Sequence, residues 1–249
     1  MKAVLSFLTR IPVKSTNIED AAYNQYLFPV VGTIIGVLAS ITGIVSMRLF
    51  SREIGALFTV LSIYLVTGLM HLDGLSDFSD GLMASGSKQE KISAMKDVST
   101  GIGGIFSVVF VLLTLFFVIS DLGEIVTTAD KHENIFMYQF GCAVIMSEVS
   151  AKLGMNTCIF MGIKMSDGIG SLFISNSAFK KYCVAVALSF LVGIVLTGFY
   201  SIVVLTGVAT AIVVANLAHK NFGGVNGDAI GTCNEISRIL TLLIWMVIY

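Results

Sequence analysis

Charge is what this 249-residue chain has least of. Asp, Glu, Lys and Arg together make up 12% of it, about half the share of an ordinary soluble domain. That is too little to cover a globule with water-compatible surface. Lys and Arg number 15 against 16 Asp and Glu, so there is no basic excess of the kind a nucleic-acid partner requires. Proline is nearly absent, with 2 residues, which excludes collagen-like and Pro-rich chains. The four cysteines, Cys142, Cys158, Cys183 and Cys233, contain no Cys-x-x-Cys pair. Neither a zinc site nor a disulfide framework is indicated, and they read as small apolar fillers in helices. A signal peptide is not indicated either, because Arg10 ends the apolar stretch after Lys2 well short of a usual h-region.

Apolar sequence is what the chain has in quantity. Hydrophobic residues make up 55%, which rules out disorder and leaves an all-α polytopic membrane bundle. Charge-free runs at 27–47, 54–70 and 98–120 are each long enough, or nearly so, to cross about 30 Å of hydrocarbon. A run at 134–147 begins a fourth span and then meets Glu148 and Lys152. The run at 182–218 is too long for one helix and is expected to fold back near 198–201, giving spans five and six. Residues 236–249 form a short seventh, with Arg238 near its mouth. We expect about seven transmembrane helices in one domain covering 1–249, with no internal repeat. With a cytoplasmic N-terminus, every Lys and Arg except Arg48, Arg52 and Lys131 falls on the inner side. The polar segments 71–97, 152–181 and 219–235 then share the cytoplasmic face.

The most informative stretch is His71-Leu-Asp-Gly-Leu-Ser-Asp-Phe-Ser-Asp-Gly81. Asp73, Asp77 and Asp80 are spaced four and three apart, which places three carboxylates on one face of a helix. Stacked bare at the end of a span they repel one another, and cations between them relieve this. Hard oxygen donors suit Mg²⁺ or Mn²⁺. A solvated acidic turn and a transporter's ion site are the alternatives. Next, 88–97 alternates in charge and reads as an amphipathic surface helix, with Lys96 and Asp97 abutting span three. The following Thr100-Gly-Ile-Gly-Gly104 suits either phosphate binding by backbone amides or close helix packing.

A second glycine-rich segment runs from His219 to Glu235 and holds Gly223, Gly224, Asn226, Asp228 and Gly231. Asp228 reads as a further metal ligand or as an orienter of a substrate hydroxyl. Gly231 reads as a packing residue, while Asp228 and Glu235, beside membrane helices, need partners. Glu148 and Lys152 have the spacing of a structural helix pair. His71 suits phosphate binding or capping of the span, and Trp245 and Tyr249 read as interface anchors.

On these residues the chain resembles the cobalamin synthase family, the membrane adenosylcobinamide-GDP ribazoletransferases. His71 to Leu82 resembles the family signature. Phe7-Leu-Thr-Arg-Ile-Pro-Val13 resembles its start and Phe28-Pro-Val-Val-Gly-Thr-Ile-Ile-Gly36 its first span. Met95-Lys-Asp97 with the glycines after it resembles the entry to span three. Gly223-Gly-Val-Asn-Gly-Asp-Ala-Ile-Gly231, with Glu235, resembles its last loop. The blocks are collinear over nearly the whole chain. Family members often carry Arg two residues after the Asp matched by Asp97, where this chain has Ser99, and Ser-Arg where it has Ser147-Glu148. Lys96, Lys152 and Lys164 are the cations left to serve phosphate there.

The resemblance implies the last assembly step of adenosylcobalamin. A hydroxyl of α-ribazole, or of its 5′-phosphate, attacks the cobinamide-side phosphorus of adenosylcobinamide-GDP, and GMP leaves. It implies Mg²⁺ held by Asp73, Asp77 and Asp80, with Asp228 added. Asp80 is the expected base, by analogy with the CDP-alcohol phosphotransferases, and Asp77 acts beside it. His71, Lys96, Asp97, Gly223, Gly224, Asn226 and Glu235 are expected to contact substrate. A wide cavity open to the cytoplasm in the cell membrane is implied, and a homo-oligomer is compatible with it. A cation-coupled transporter is the alternative of another class. A CDP-alcohol phosphotransferase proper would need Asp-Gly-x-x-Ala-Arg, and here Gly74 is followed by Leu75-Ser-Asp.

Overall fold

A computed structural model describes residues 1–13, 17–127, 133–165 and 168–248. Among them the elements are helices: α1 (Lys2–Leu8), α2 (Ile18–Tyr23), α3 (Phe28–Leu49), α4 (Arg52–Thr67), α5 (Met70–Met83), α6 (Lys88–Met95), α7 (Ile102–Thr127), α8 (Glu133–Met161), α9 (Ile169–Ser175), α10 (Phe179–Thr197), α11 (Leu205–Phe222) and α12 (Gly227–Ile248). Four stretches are long and apolar enough to cross a membrane: Gln25–Leu49, Ile102–Glu124, Phe179–Phe222 and Gly227–Ile248. A fifth arises if α4 and α5, bent by 93°, are counted together. Lys14, Lys131 and Tyr249 lie outside the described residues, as do positions 166–167 of the segment 152–181.

The run 54–70 does not continue straight to its end. Gly68 takes φ +73 at the C-cap of α4, and Met70 already belongs to the next helix. This positive φ favours glycine, since a Cβ there is disfavoured. The chain therefore turns sharply just before the acidic segment. The acidic segment thus lies on a separate helix, α5, that begins where the run 54–70 ends. The fold-back expected near 198–201 is present as the 3₁₀ segment Gly198–Val204. Two of the polar segments are mostly helix. In 219–235, α11 runs to Phe222 and α12 starts at Gly227, so only four residues connect them. In 152–181, α8 runs on to Met161 and α9 follows. The segment 88–97 forms α6, opened by a capping box between Ser87 and Glu90.

Helix α8 is the hub, packed against α3, α10, α11 and α12. Glycines set the spacing. A Cβ on Gly32 would lie 2.7 Å from the Glu148 carbonyl oxygen, and one on Gly36 would lie 2.6 Å from the Ile145 Cα. On the other side of α8, Gly207 of α11 sits directly against the Ser150 backbone. Small residues let membrane helices approach this closely. The outer faces are apolar: Phe106, Phe110 and Phe117 of α7 and Leu191 and Val195 of α10 are more than half exposed. Cys142, Cys158 and Cys233 are buried and unpaired, and Cys183 is exposed.

Polar groups occupy the interior instead. Glu148 and Lys152 do not interrupt α8, because both are fully buried and satisfied inside the bundle. Lys152 Nζ lies 3.3 Å from Glu148 Oε2 and donates to Asn234 Oδ1 at 2.6 Å. Asn234 Nδ2 donates to Glu235 Oε1 at 2.9 Å, and the Tyr64 hydroxyl donates to Glu235 Oε2 at 2.8 Å. Arg238 bridges Glu148 and Glu235. Two cations and two anions thus neutralise one another away from water, as buried charges must. This corrects several expectations. Arg238 is in the core, not at a helix mouth, and Lys152 is not free to serve phosphate. Glu235, 1% exposed and bonded at both oxygens, has no face toward a substrate. Trp245 is 2% exposed and packs near Tyr200 inside the bundle, not at an interface.

Removing one member strands the opposite charge. Arg238→Met is expected to destabilise the folded bundle by about 3–5 kcal/mol. Thermal unfolding in detergent measures this, and a melting temperature within a degree of the parent would contradict the network's role.

Candidate active site

The site forms where α5 crosses the start of α12. Gly74 and Gly231 make the crossing close. A Cβ on Gly74 would lie 3.0 Å from the Asp228 Cα, and one on Gly231 would lie 3.1 Å from the His71 carbonyl oxygen. Gly231 is therefore a packing residue, as its sequence context indicates. The contact carries Asp228 to the Asp73–Asp77 face of α5. Asn226 caps α12: its Oδ1 accepts the Ala229 N–H at 3.1 Å, and its Nδ2 donates to Asp228 Oδ2 at 2.6 Å.

A cavity of about 360 Å³ opens here. His71, Asp73, Lys96, Asn226 and Asp228 line its polar part. Phe7, Phe28, Met155, Ile159 and Phe173 line much of the rest. Five predicted site residues from three separate segments thus meet at one cavity. Asp77 lies one turn along α5, where burial pushes its carboxyl up to about 6. The charges of Asp228, Asp73 and Asp80 add to this in that order.

Other predicted residues are engaged differently. Asp80 is on α5 with the other two, but its oxygens accept the N–H groups of Gly101 at 2.7 Å and Gly104 at 2.8 Å. The amides that suited a phosphate are thus held by a carboxylate, and Asp80 fixes the start of α7. Asp97 is exposed and accepts from the Ser99 N–H at 2.8 Å, outside the cavity lining. Gly223 ends α11 in the left-handed conformation, φ +83. Gly224 lets its turn lie against 163–165, since a Cβ would sit 2.7 Å from the Ile163 carbonyl oxygen. That contact carries the parallel bridge of Lys164 with Val225. Neither glycine lines the cavity.

The donors present are hard oxygens: Asp73 and Asp228 on the cavity, Asp77 beside them. Among the described residues no three His, Cys, Asp or Glu side chains are already gathered at metal-ligating distance. That pattern fits Mg²⁺, which is commonly held by one or two carboxylates and completes its shell with water and substrate phosphate. It does not fit a closed all-protein cage. Sequence reasoning missed the aromatic wall of Phe7, Phe28 and Phe173. Phe7 and Phe28 lie in the blocks that resemble the family, yet as apolar residues in apolar helices they carry no mark separating them from lipid-facing ones.

The fold defines a class: a multi-pass helical membrane protein, here with a polar cavity between α5 and the start of α12. A family profile described as Cobalamin-5-phosphate synthase matches residues 1–246. The chain is 34% identical over 248 residues to an adenosylcobinamide-GDP ribazoletransferase of Methanococcoides burtonii, covering 98% of this chain and 90% of the relative. It is 35% identical over 246 residues to the protein of that name from Pyrococcus abyssi, covering 98% and 96%. With the one from Methanocella arvoryzae identity is 34% over 269 residues, covering 99% and 96%. The chain belongs to the cobalamin-5-phosphate synthase family. No solved structure matches it.

The crossing makes an electrostatic prediction. Asp77 should titrate near 6 in the metal-free protein, and Asp228→Asn should lower that value by removing a neighbouring negative charge. Because the folded pKa lies above the ordinary 3.8, stability falls as pH rises from about 4 to 6, and the cost is complete above 6. Carboxyl ¹³C shifts of Asp-labelled protein report the titration. An Asp77 midpoint unmoved by Asp228→Asn would contradict the proximity of the two helices.

Proposed function

We propose that this protein catalyses the final joining step of adenosylcobalamin synthesis. An oxygen of α-ribazole, or of its 5′-phosphate, bonds to the cobinamide-side phosphorus of adenosylcobinamide-GDP. The bond from that phosphorus to the bridging oxygen breaks, and GMP leaves with that oxygen. The observation that carries this reading is the convergence of α5, Lys96 and the start of α12 on one cavity. Those are the segments whose sequences resemble the family, and its relatives carry the name adenosylcobinamide-GDP ribazoletransferase.

Asp73 and Asp228 would hold Mg²⁺, or Mn²⁺, which when bound supplies Lewis acidity and neutralises the diphosphate. Lys96 and the positive end of α12 draw the anionic substrate toward the same point. Asp77 takes the proton of the attacking hydroxyl. A carboxyl raised to about 6 is better matched to that task near neutrality than an ordinary one. The base assigned to Asp80 by analogy passes to Asp77, because Asp80 is occupied with the start of α7. His71 and Asn226 position the substrate from the cavity wall.

We place the protein in the cell membrane with about seven crossings and with its N-terminus and cavity toward the cytoplasm. The cavity lies by Phe28, at the start of α3, and Arg48 and Arg52 lie at the far end of that helix. The remaining described Lys and Arg are mostly on the cavity side, in accord with the positive-inside rule. A transporter reading gains nothing from the deep charges, because Glu148 and Glu235 are already bonded to cations within the bundle.

Purified protein in liposomes, given adenosylcobinamide-GDP, α-ribazole 5′-phosphate and Mg²⁺, should release GMP. A chelator should stop turnover and added Mg²⁺ should restore it. Asp77→Asn should lower the rate about a hundredfold or more while the protein stays folded. No GMP from folded wild type would remove the assignment, and a wild-type rate in Asp77→Asn would remove the base.

A further inference from the structure

A second, smaller cavity lies near one wall of the first. That wall is α9, which with its N-cap supplies Gly168, Ile169, Gly170, Ser171 and Phe173 to the lining of the α5–α12 cavity. The helix has 7 residues, too few to hold its own shape, so contacts must fix its place. Toward its start, Gly170 lies against α12: a Cβ there would be 2.6 Å from the Gly227 nitrogen. Toward its end, Gln25 Nε2 donates to the Phe173 carbonyl at 3.0 Å. Gln25 belongs to the 3₁₀ turn Gln25–Leu27 before α3. Its own carbonyl accepts from Asn156 Nδ2 of α8 at 3.0 Å. A chain of amides thus runs from the hub helix through Gln25 to α9.

Gln25 is 3% exposed and Asn156 5%. Each side-chain nitrogen faces a backbone carbonyl, which only accepts, so the orientation of both amides is fixed. The side-chain oxygens are what is left over. Among the described residues, neither Gln25 Oε1 nor Asn156 Oδ1 has a hydrogen-bond partner, and buried acceptors are normally satisfied. Both residues line a cavity of about 10 Å³ with Tyr26, Ser177, Lys181 and Tyr182. The larger donors there are engaged elsewhere. The Tyr26 hydroxyl donates to Asn24 Oδ1 at 3.2 Å, and the Tyr182 hydroxyl pairs with Thr157 Oγ1 at 3.1 Å. Lys181 Nζ donates to the Asn176 carbonyl at 3.1 Å and lies 3.7 Å from the centroid of the Tyr23 ring.

We propose that this small cavity is a hydration site: one water molecule donates its two O–H groups to Gln25 Oε1 and Asn156 Oδ1, and so completes a clasp that positions α9. The volume admits one water and nothing larger. The chemistry matches as well, since the two orphan acceptors ask for two donors and a water carries two. Ser177 brings a hydroxyl for the water's own lone pair. A sodium ion would also suit amide oxygens, but the lining holds no carboxylate and does hold the Lys181 ammonium, which opposes a second cation. Gln25 and Asn156 are positioning residues. Neither lines the α5–α12 cavity, and both act on it through Phe173 and α9. The clasp does not depend on which reaction the larger cavity performs.

A density map of the full-length protein in detergent, at a resolution that shows ordered water, tests the site directly. A peak is expected within about 3.2 Å of both oxygens, unchanged when Rb⁺ replaces Na⁺ in the buffer. Amide hydrogen exchange tests the clasp. Asn156 makes no bond to α9 itself, yet Asn156→Leu should raise exchange across 169–175 about tenfold, because it removes the water's second acceptor and frees Gln25. Gln25→Met should do the same, and exchange across α12 should stay at the wild-type level in both. In turnover the two variants should raise KM for one substrate about tenfold and change kcat by less than about twofold, since α9 carries none of the reacting groups. An empty gap between the oxygens, the Lys181 ammonium standing in it, or a peak that grows with Rb⁺ overturns the water. Wild-type exchange of α9 in both variants overturns the clasp, as does a fall in kcat with KM unchanged. Neither the map nor the exchange measurement needs GMP release, so a failure of the transfer proposed above is read separately.

Discussion

Asp73, Asp77 and Asp228 repel one another, and helix packing holds them together regardless. Burial, with the neighbouring negative charges adding to it, pushes the Asp77 carboxyl up to about 6. Glycine makes the arrangement possible, because Gly74 and Gly231 are the points at which α5 and α12 touch, and a larger residue at either would push the carboxylates apart. The sharp turn at Gly68 supplies the direction. Without it α5 would continue along α4, and its acidic face would not meet α12. A stretch of chain that keeps like charges near one another is stable only where something else in the fold compensates. Here the compensation is a rigid bundle beneath the site.

That rigidity has an unusual source for so apolar a chain. The hub helix α8 carries Glu148 and Lys152 in its middle, and α12 answers with Asn234, Glu235 and Arg238. In a membrane there is no hydrophobic force between helices, so interior polar bonds and close glycine contacts do the joining. The same helix that presents Asp228 to the cavity at its first turn is thus locked two turns later to α8 and to Tyr64 of α4. Site and core share one element, and a change in the buried charges reaches the cavity through α12.

Much of this was legible in the sequence. Helical spacing placed Asp73, Asp77 and Asp80 on one element, and charge-free runs located α3, α7 and the break between α10 and α11. Collinear blocks indicated the family. Three things were not legible, each for a physical reason. Pattern along one helix does not say which neighbour each turn faces, so Asp80 looked equivalent to Asp77 although it holds the Gly101 and Gly104 amides of α7. A charge in an apolar run marks a boundary when it meets water and a core contact when it meets a partner, so Arg238 was placed near a mouth and Lys152 and Glu235 in cytoplasmic segments, although all three belong to the interior. Aromatic residues in apolar helices look alike whether they face lipid, core or cavity, so the wall of Phe7, Phe28 and Phe173 emerged only from packing.

We propose that α5 and α12 jointly create a divalent-cation site that neither possesses alone. Mn²⁺ is spectroscopically visible and takes the oxygen donors that Mg²⁺ takes. Electron paramagnetic resonance of Mn²⁺ added to the purified protein measures the site without any substrate. Saturable binding is predicted, weakened tenfold or more by Asp73→Asn and equally by Asp228→Asn. Mn²⁺ affinity unchanged in the double variant would contradict the account.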